Sequence, residues 1–131
     1  MRYMLDTNIC IYLIKAHPPA LLTRLQQLDH GDAVMSMISY AELRVGLEML
    51  SATRAQNERA LALLTHEIPV LPFDEAAAEK YGLQRAAVRD RRRDALDRLI
   101  AAHATSLGLT LITNNETDFR DYPGLIVENW V

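Results

Sequence analysis

The stretch Arg2-Tyr3-Met4-Leu5-Asp6-Thr7-Asn8-Ile9-Cys10-Ile11-Tyr12-Leu13-Ile14 changes its period at residue 6. Residues 2–5 form a short apolar run that ends on an acid, the pattern of a buried strand. From 8 to 16, Ile9, Tyr12 and Leu13 recur at the spacing of one helix face. A strand that breaks on Asp6 into a helix is the first half of a crossover unit, and everything downstream repeats it.

Pro18-Pro19 suits the first turn of a second helix that carries Leu21, Leu22, Leu25 and Leu28. Asp29-His30-Gly31-Asp32 breaks it, and Ala33–Met37 reads as a second strand. Ser39 opens a helix through Tyr40, Leu43, Leu47 and Leu50; Thr53 opens another, with Gln56 three residues on in the capping-box pattern. Pro69-Val70-Leu71-Pro72 is a short strand between prolines, and Asp74 caps an Ala-rich helix reaching Val88. A helix over 94–107 stops at Gly108, Leu109–Thr113 is an apolar strand, and Leu125–Val127 is a last edge strand. Short apolar strands separated by helices require crossover connections, hence a mostly parallel sheet covered on both faces. The expected fold is a single three-layer α/β/α domain over 1–131, with a central sheet of four to five strands.

Composition agrees with that picture. The chain has 131 residues, 50% of them hydrophobic and 24% charged, enough for one core and too regular for a disordered or collagen-like segment. Seventeen acidic and fourteen basic residues leave a net charge of −3, so any contact with a polyanion must come from a local patch. The single cysteine, Cys10, excludes an internal disulfide and a Cys-rich zinc cage, and its apolar setting marks it as a small buried hydrophobe. The run around it is too short to span a bilayer, and an acid at position 6 precludes a signal peptide, so a cytoplasmic protein without membrane contact is expected.

In parallel α/β sheets, ligands bind beyond the carboxyl ends of the strands. Asp6 closes the first strand, Glu42 sits a turn into the helix after the second, Asp97 lies near the start of the helix Leu99-Ile100-Ala101-Ala102-His103, and Asn115 and Asp118 follow the fourth strand. Right-handed crossovers bring these ends to one side. Carboxylates drawn together repel unless a cation neutralises them, and an oxygen-only set favours Mg²⁺ or Mn²⁺ over zinc. Such a site suits metal-assisted attack of water on a phosphodiester. Each residue also has a purely structural account. Asp6 is a favoured helix cap, Ser39-x-x-Glu42 is a capping box, Asp94 and Asp97 suit a helix N-terminus, and Asn115 and Asp118 suit a turn.

Arg85, Arg89, Arg91, Arg92, Arg93 and Arg98 form a basic run beside Asp97. It reads either as a solvated helix face or as an edge that binds RNA phosphates. His103 lies at helical spacing from Leu99 and Leu107 and is expected in the core. An aspartyl-phosphate mechanism at Asp6 is set aside, because position 8 is Asn where a second acid would serve as proton donor.

Met4-Leu5-Asp6-Thr7-Asn8, Ile38-Ser39-Tyr40-Ala41-Glu42-Leu43 with Gly46, and Asp97-Arg98-Leu99-Ile100-Ala101-Ala102-His103-Ala104 resemble the PIN-domain family. Leu111-Ile112-Thr113-Asn114-Asn115-Glu116-Thr117-Asp118-Phe119, Gly124-Leu125 and Glu128-Asn129-Trp130 are similar to its VapC branch, the ribonuclease toxins of VapBC toxin–antitoxin pairs. The resemblance runs from end to end. It implies that Asp6 and Asp97 bind Mg²⁺ or Mn²⁺, that Glu42 orients water or completes the metal shell, and that Asn115 or Asp118 fills a fourth position. It further implies cleavage of structured RNA such as tRNA to a 3′-hydroxyl and a 5′-phosphate, a homodimer, and a VapB-type antitoxin that inserts a segment into the acidic groove. One stretch departs from the branch. Asp90-Arg91-Arg92-Arg93-Asp94-Ala95-Leu96 replaces a Gly/Pro-rich loop, which is the feature favouring the alternative of a catalytically inactive RNA- or partner-binding module.

Overall fold

In the computed structural model, which describes residues 1–88 and 95–131, the first strand of the chain is the central one. Strand β1 (Tyr3–Leu5) is flanked by β2 (Ala33–Ser36) on one side and β4 (Thr110–Ile112) on the other. Beyond them lie β3 (Val70–Leu71) and β5 (Ile126–Glu128), giving the order β3-β2-β1-β4-β5. All the pairings are parallel, with Leu5 opposite Met35 and Ile112.

Alternation along the strands sorts the core into two clusters, as a period of two requires. Tyr3, Leu5, Ala33, Met35 and Ile112 face one side, against Ile9, Cys10, Leu21, Leu43, Leu47, Leu61 and Leu64. Those residues come from α1 (Thr7–Ile14), α2 (Pro19–Gln26), α3 (Met37–Glu48) and α4 (Arg54–Glu67). Met4, Val34 and Leu111 face the other side, against Ile100, Ala101, Ala104, Phe119 and Tyr122. That layer holds α5 (Glu75–Ala87), α6 (Ala95–Ser106) and the short α7 (Glu116–Phe119). Met4, Leu5, Leu111 and Ile112 are fully buried, each stabilising the fold by about 1.5–3 kcal/mol. Truncating one of them, Leu111→Ala for instance, leaves a cavity that costs about 2–5 kcal/mol.

Local signals explain most boundaries. Asp74 caps α5 through a 3.0 Å bond from the Ala77 amide to Oδ1. Helix α6 ends at Gly108 (φ +68°), where the Leu109 amide donates to Ala104 O and the Gly108 amide to Thr105 O. That reciprocal closure needs a left-handed residue, which glycine adopts without strain.

Three expectations shift. Strand β2 ends at Ser36, which caps α3 by accepting the Ile38 amide on Oγ at 3.1 Å, so Ser39 lies inside the helix and the Ser39–Glu42 capping box does not form. Thr53 precedes α4 without a side-chain cap, because its hydroxyl accepts from Asn57 Nδ2 instead. Helix α7, four residues long, was not anticipated by the periodicity.

Candidate active site

The strand order reverses between β1 and β4. Chain leaving β1 crosses over on one face to β2, and chain arriving at β4 comes from the other face. The crevice at such a switch point is where parallel α/β sheets bind ligands. Asp6 and Thr113 are the first residues past β1 and β4, and the Asp6 amide donates to Ile112 O at 3.0 Å.

Asp6 does two things there. Its Oδ1 accepts the Ile9 amide at 2.9 Å, so it caps α1, as the structural account requires. It is also buried, only 5% exposed, and burial raises its carboxyl pKa above the ordinary value. The nearby charge of Glu42 raises it further, while the Thr113 hydroxyl and the Ile9 and Asn8 amides oppose the rise. A buried carboxylate pressed by a second one, with no ion-pair partner for either among the described residues, is a site that favours a cation. Cys10, fully buried nearby, is pushed far above the ordinary thiol pKa, first by burial and then by Asp6, and is inert as a nucleophile.

Glu42 is held from the opposite helix. Thr7, immediately after Asp6, donates from Oγ1 to Glu42 Oε1 at 2.6 Å, and buried Ser39 lies 3.2 Å from the same hydroxyl. Thr7 is thus a site residue that sequence reading missed. It ties the residue after the first acid to the second acid across 35 positions of chain.

The β4 side is built differently. Thr113 Oγ1 accepts the Asn115 amide at 3.0 Å, and Asn115 donates from Nδ2 to Asp118 Oδ2. Asn115 is exposed and Asp118 half-buried. The adjacent Asn114 donates from Nδ2 to the Tyr12 hydroxyl at 2.7 Å, tying this loop to α1.

Asp97 is half-buried in the first turn of α6, a placement in which a carboxylate is favoured by the helix dipole. Among the described residues, no three acidic, histidine or cysteine side chains gather closely enough to hold an ion by themselves. The structure therefore joins Asp6 to Glu42 and Asn115 to Asp118, and it does not gather Asp97 with them into one three-acid cluster. The donor set of the Asp6–Glu42 half fits a hard divalent cation, since it offers carboxylate oxygens and a hydroxyl and nothing softer.

Arg98 is a correction. Expected on an exposed phosphate-binding edge, it is 6% exposed, and its Nε and Nη2 have no hydrogen-bond partner among the described residues. The cause is helical phase: position 98 shares a face of α6 with Ala101 and Ala102, both fully buried. Arg89, Arg91, Arg92 and Arg93 lie outside the described residues, as does the 90–94 part of the departing segment. No helix among the described residues is long and apolar enough to cross a membrane.

A parallel sheet of this order, with acids past its central strands, fits the PIN-domain class. The family model described as PIN domain matches residues 3–125, and the chain belongs to that family. Within it, the likeness is to the VapC ribonucleases. The chain is 35% identical to ribonuclease VapC2 of Rickettsia felis and 36% identical to the tRNA(fMet)-specific endonuclease VapC of Shigella flexneri. Each alignment covers 99% of this chain and 98% of the relative. Among solved structures, VapBC2 from Rickettsia felis, bound to a DNA fragment from its promoter, superimposes with a TM-score of 0.92 at 34% identity, covering 100% of both chains.

Proposed function

We propose that the protein is a divalent-metal-dependent endoribonuclease, the toxin of a type II toxin–antitoxin pair, which hydrolyses phosphodiester bonds in structured RNA such as tRNA. The observation that carries this reading is the coupling of Asp6 to Glu42 through Thr7 at the β1/β4 switch point, in a chain similar along its whole length to VapC ribonucleases. Asp6 and Asp97 would hold Mg²⁺ or Mn²⁺, with Asn115 or Asp118 as the fourth group. When bound, the cation supplies a water of lowered pKa and neutralises charge building on the phosphate.

The chain's own residues do the rest. Asp6 is kept in place by the Ile9 amide and the Thr113 hydroxyl, so its carboxylate is oriented before any ion arrives. Thr7 occupies Oε1 of Glu42 and leaves Oε2 to orient or deprotonate the attacking water. Arg89, Arg91, Arg92 and Arg93 supply positive charge in an otherwise acidic chain for the RNA backbone. Arg98, being buried, is assigned no exposed phosphate.

The partners that follow are a VapB-type antitoxin, which would enter the acidic groove with a basic side chain, and a second copy in a homodimer; the compartment is the cytoplasm. The test is cleavage of total tRNA with Mn²⁺ by wild type, by Asp6→Asn and by wild type in EDTA. Discrete cuts that need both the metal and Asp6 are expected. A folded wild type that cuts no RNA would replace this reading with that of a binding module.

A further inference from the structure

Away from the acids, α6 carries a second polar feature that the proposed chemistry does not use. His103 is 1% exposed, and its Nδ1 lies 2.8 Å from Ser36 Oγ, itself fully buried. The Phe73 ring packs edge-on against the imidazole at 5.5 Å, and the Pro72 carbonyl lies beside the ring. Ser36 Oγ also accepts the Ile38 amide at 3.1 Å, the bond that caps α3. The chain His103–Ser36–Ile38 thus links α6 to the first turn of α3.

This chain of bonds crosses the layers of the fold. Ser36 is the last residue of β2, and alternation along β2 turns its side chain to the α6 face, with Val34, while the helix it caps packs with the opposite layer. Glu42 lies six residues after Ser36 on α3, and Asp97 lies six residues before His103 on α6. At about 1.5 Å per residue, each acid stands about 9 Å along its own helix from the junction. A slip of α6 against the start of α3 would move Asp97 relative to Glu42 by a similar distance.

We propose that His103 is a positioning residue. Its bond to Ser36 sets the register between the helix that bears Asp97 and the helix that bears Glu42. The inference rests on the nuclease reading above, in which both acids serve one centre.

Asparagine places a polar atom where Nδ1 stands and keeps the bond to Ser36, whereas glutamine carries its amide on toward the position of Nε2 and loses it. Both variants forfeit the ring and its packing on Phe73, so a role confined to packing predicts that they fall together. The experiment compares wild type, His103→Asn and His103→Gln for Mn²⁺ binding by calorimetry and for the single-turnover rate on tRNA, with thermal melts as the fold control. The expected result is that His103→Gln loses about tenfold in both Mn²⁺ affinity and rate. His103→Asn should stay within a few-fold of wild type at a similar melting temperature. Should the His103 variants fail to fold, Ser36→Thr, which keeps the hydroxyl, should hold Mn²⁺ affinity and rate, and Ser36→Ala should lose them to the same degree as His103→Gln. Variants that track only their melting temperatures, or His103→Asn falling below His103→Gln, overturn the assignment, as does Ser36→Ala matching Ser36→Thr. A wild type that neither binds Mn²⁺ nor cuts RNA sinks the nuclease reading and this inference with it. An active wild type with indistinguishable variants sinks this inference alone.

Discussion

The two sides of the candidate site are constructed on opposite principles. On the β1 side, Asp6 is buried, caps a helix and is coupled through Thr7 to an acid 35 residues downstream of that threonine. On the β4 side, Asn115 and Asp118 are three residues apart, open to solvent in part, and bonded to each other, with the Asn115 amide held by Thr113. The first side is built by tertiary structure and holds its geometry without a ligand. The second is a local turn that can rearrange at small cost, because solvent can replace its bonds. Preorganised charge is what stabilises a transition state, so the β1 side should dominate catalysis and the β4 side should tune it.

The strongest way to break that contrast is Asp6→Asn. Cleavage should fall on the order of a hundredfold or more, since the cation supplies several kcal/mol of transition-state stabilisation. The same variant should make the metal-free protein more stable. A carboxyl whose pKa is raised by folding keeps its proton in the folded state after the unfolded chain has ionised, so its contribution declines as pH rises from about 3.8 through the raised value. Melts in EDTA should show Asp6→Asn a few degrees above wild type at pH 7 and no such gain below pH 4. An equal or lower melting temperature at pH 7 would mean that the Asp6 cap outweighs its burial.

Thr7→Val comes next. It removes the hydroxyl from Glu42 with little change of volume, and the single-turnover rate should drop about 10–100-fold with the melting temperature nearly unchanged. Asn115→Ala and Asp118→Asn should each lose about tenfold or less. Should Asp118→Asn match Asp6→Asn in rate, the contrast between the two sides is wrong.

The smallest effect is one of pH on stability at His103, whose pKa is lowered first by burial, against the opposing influence of Asp74 and the Pro72 carbonyl. Folding then favours the neutral ring. Stability is held above about pH 6.5 and declines as pH falls below it, by at most about 1.4 kcal/mol per pH unit. Melts from pH 7.5 to 5.5 should show this decline in wild type and less of it in His103→Asn.

The strands, the order of helices and the acids at strand ends could be read from the sequence because each rests on short-range pattern: an apolar run, a period change, a capping residue. Asp6 is the clearest instance, standing where a strand gives way to a helix. Ser36 and Ser39 could not be ranked that way, since both are good caps, and only the burial of Ser36 and its bond to the Ile38 amide decide between them. The Thr7–Glu42 bond left no local trace, because its partners meet through α1 and α3 packing against one another. The burial of Arg98 does not show in the charge of the run, because it depends on helical phase. At residue 98 the phase of α6 turns the chain inward, toward Ala101 and Ala102. What the sequence expresses poorly is any relation whose two ends lie on different elements.

The central position of β1 has a consequence in time. Residues 3 and 110 pair side by side, so β1 waits for this neighbour until the stretch between them has been made. At about 5–20 residues per second, several seconds separate the two. Contacts of such long sequence separation also form slowly. A nascent chain that already displays Asp6 and Glu42 still lacks β4, Asn115 and Asp118. The edge that bears the candidate site thus closes only once β4 has been made.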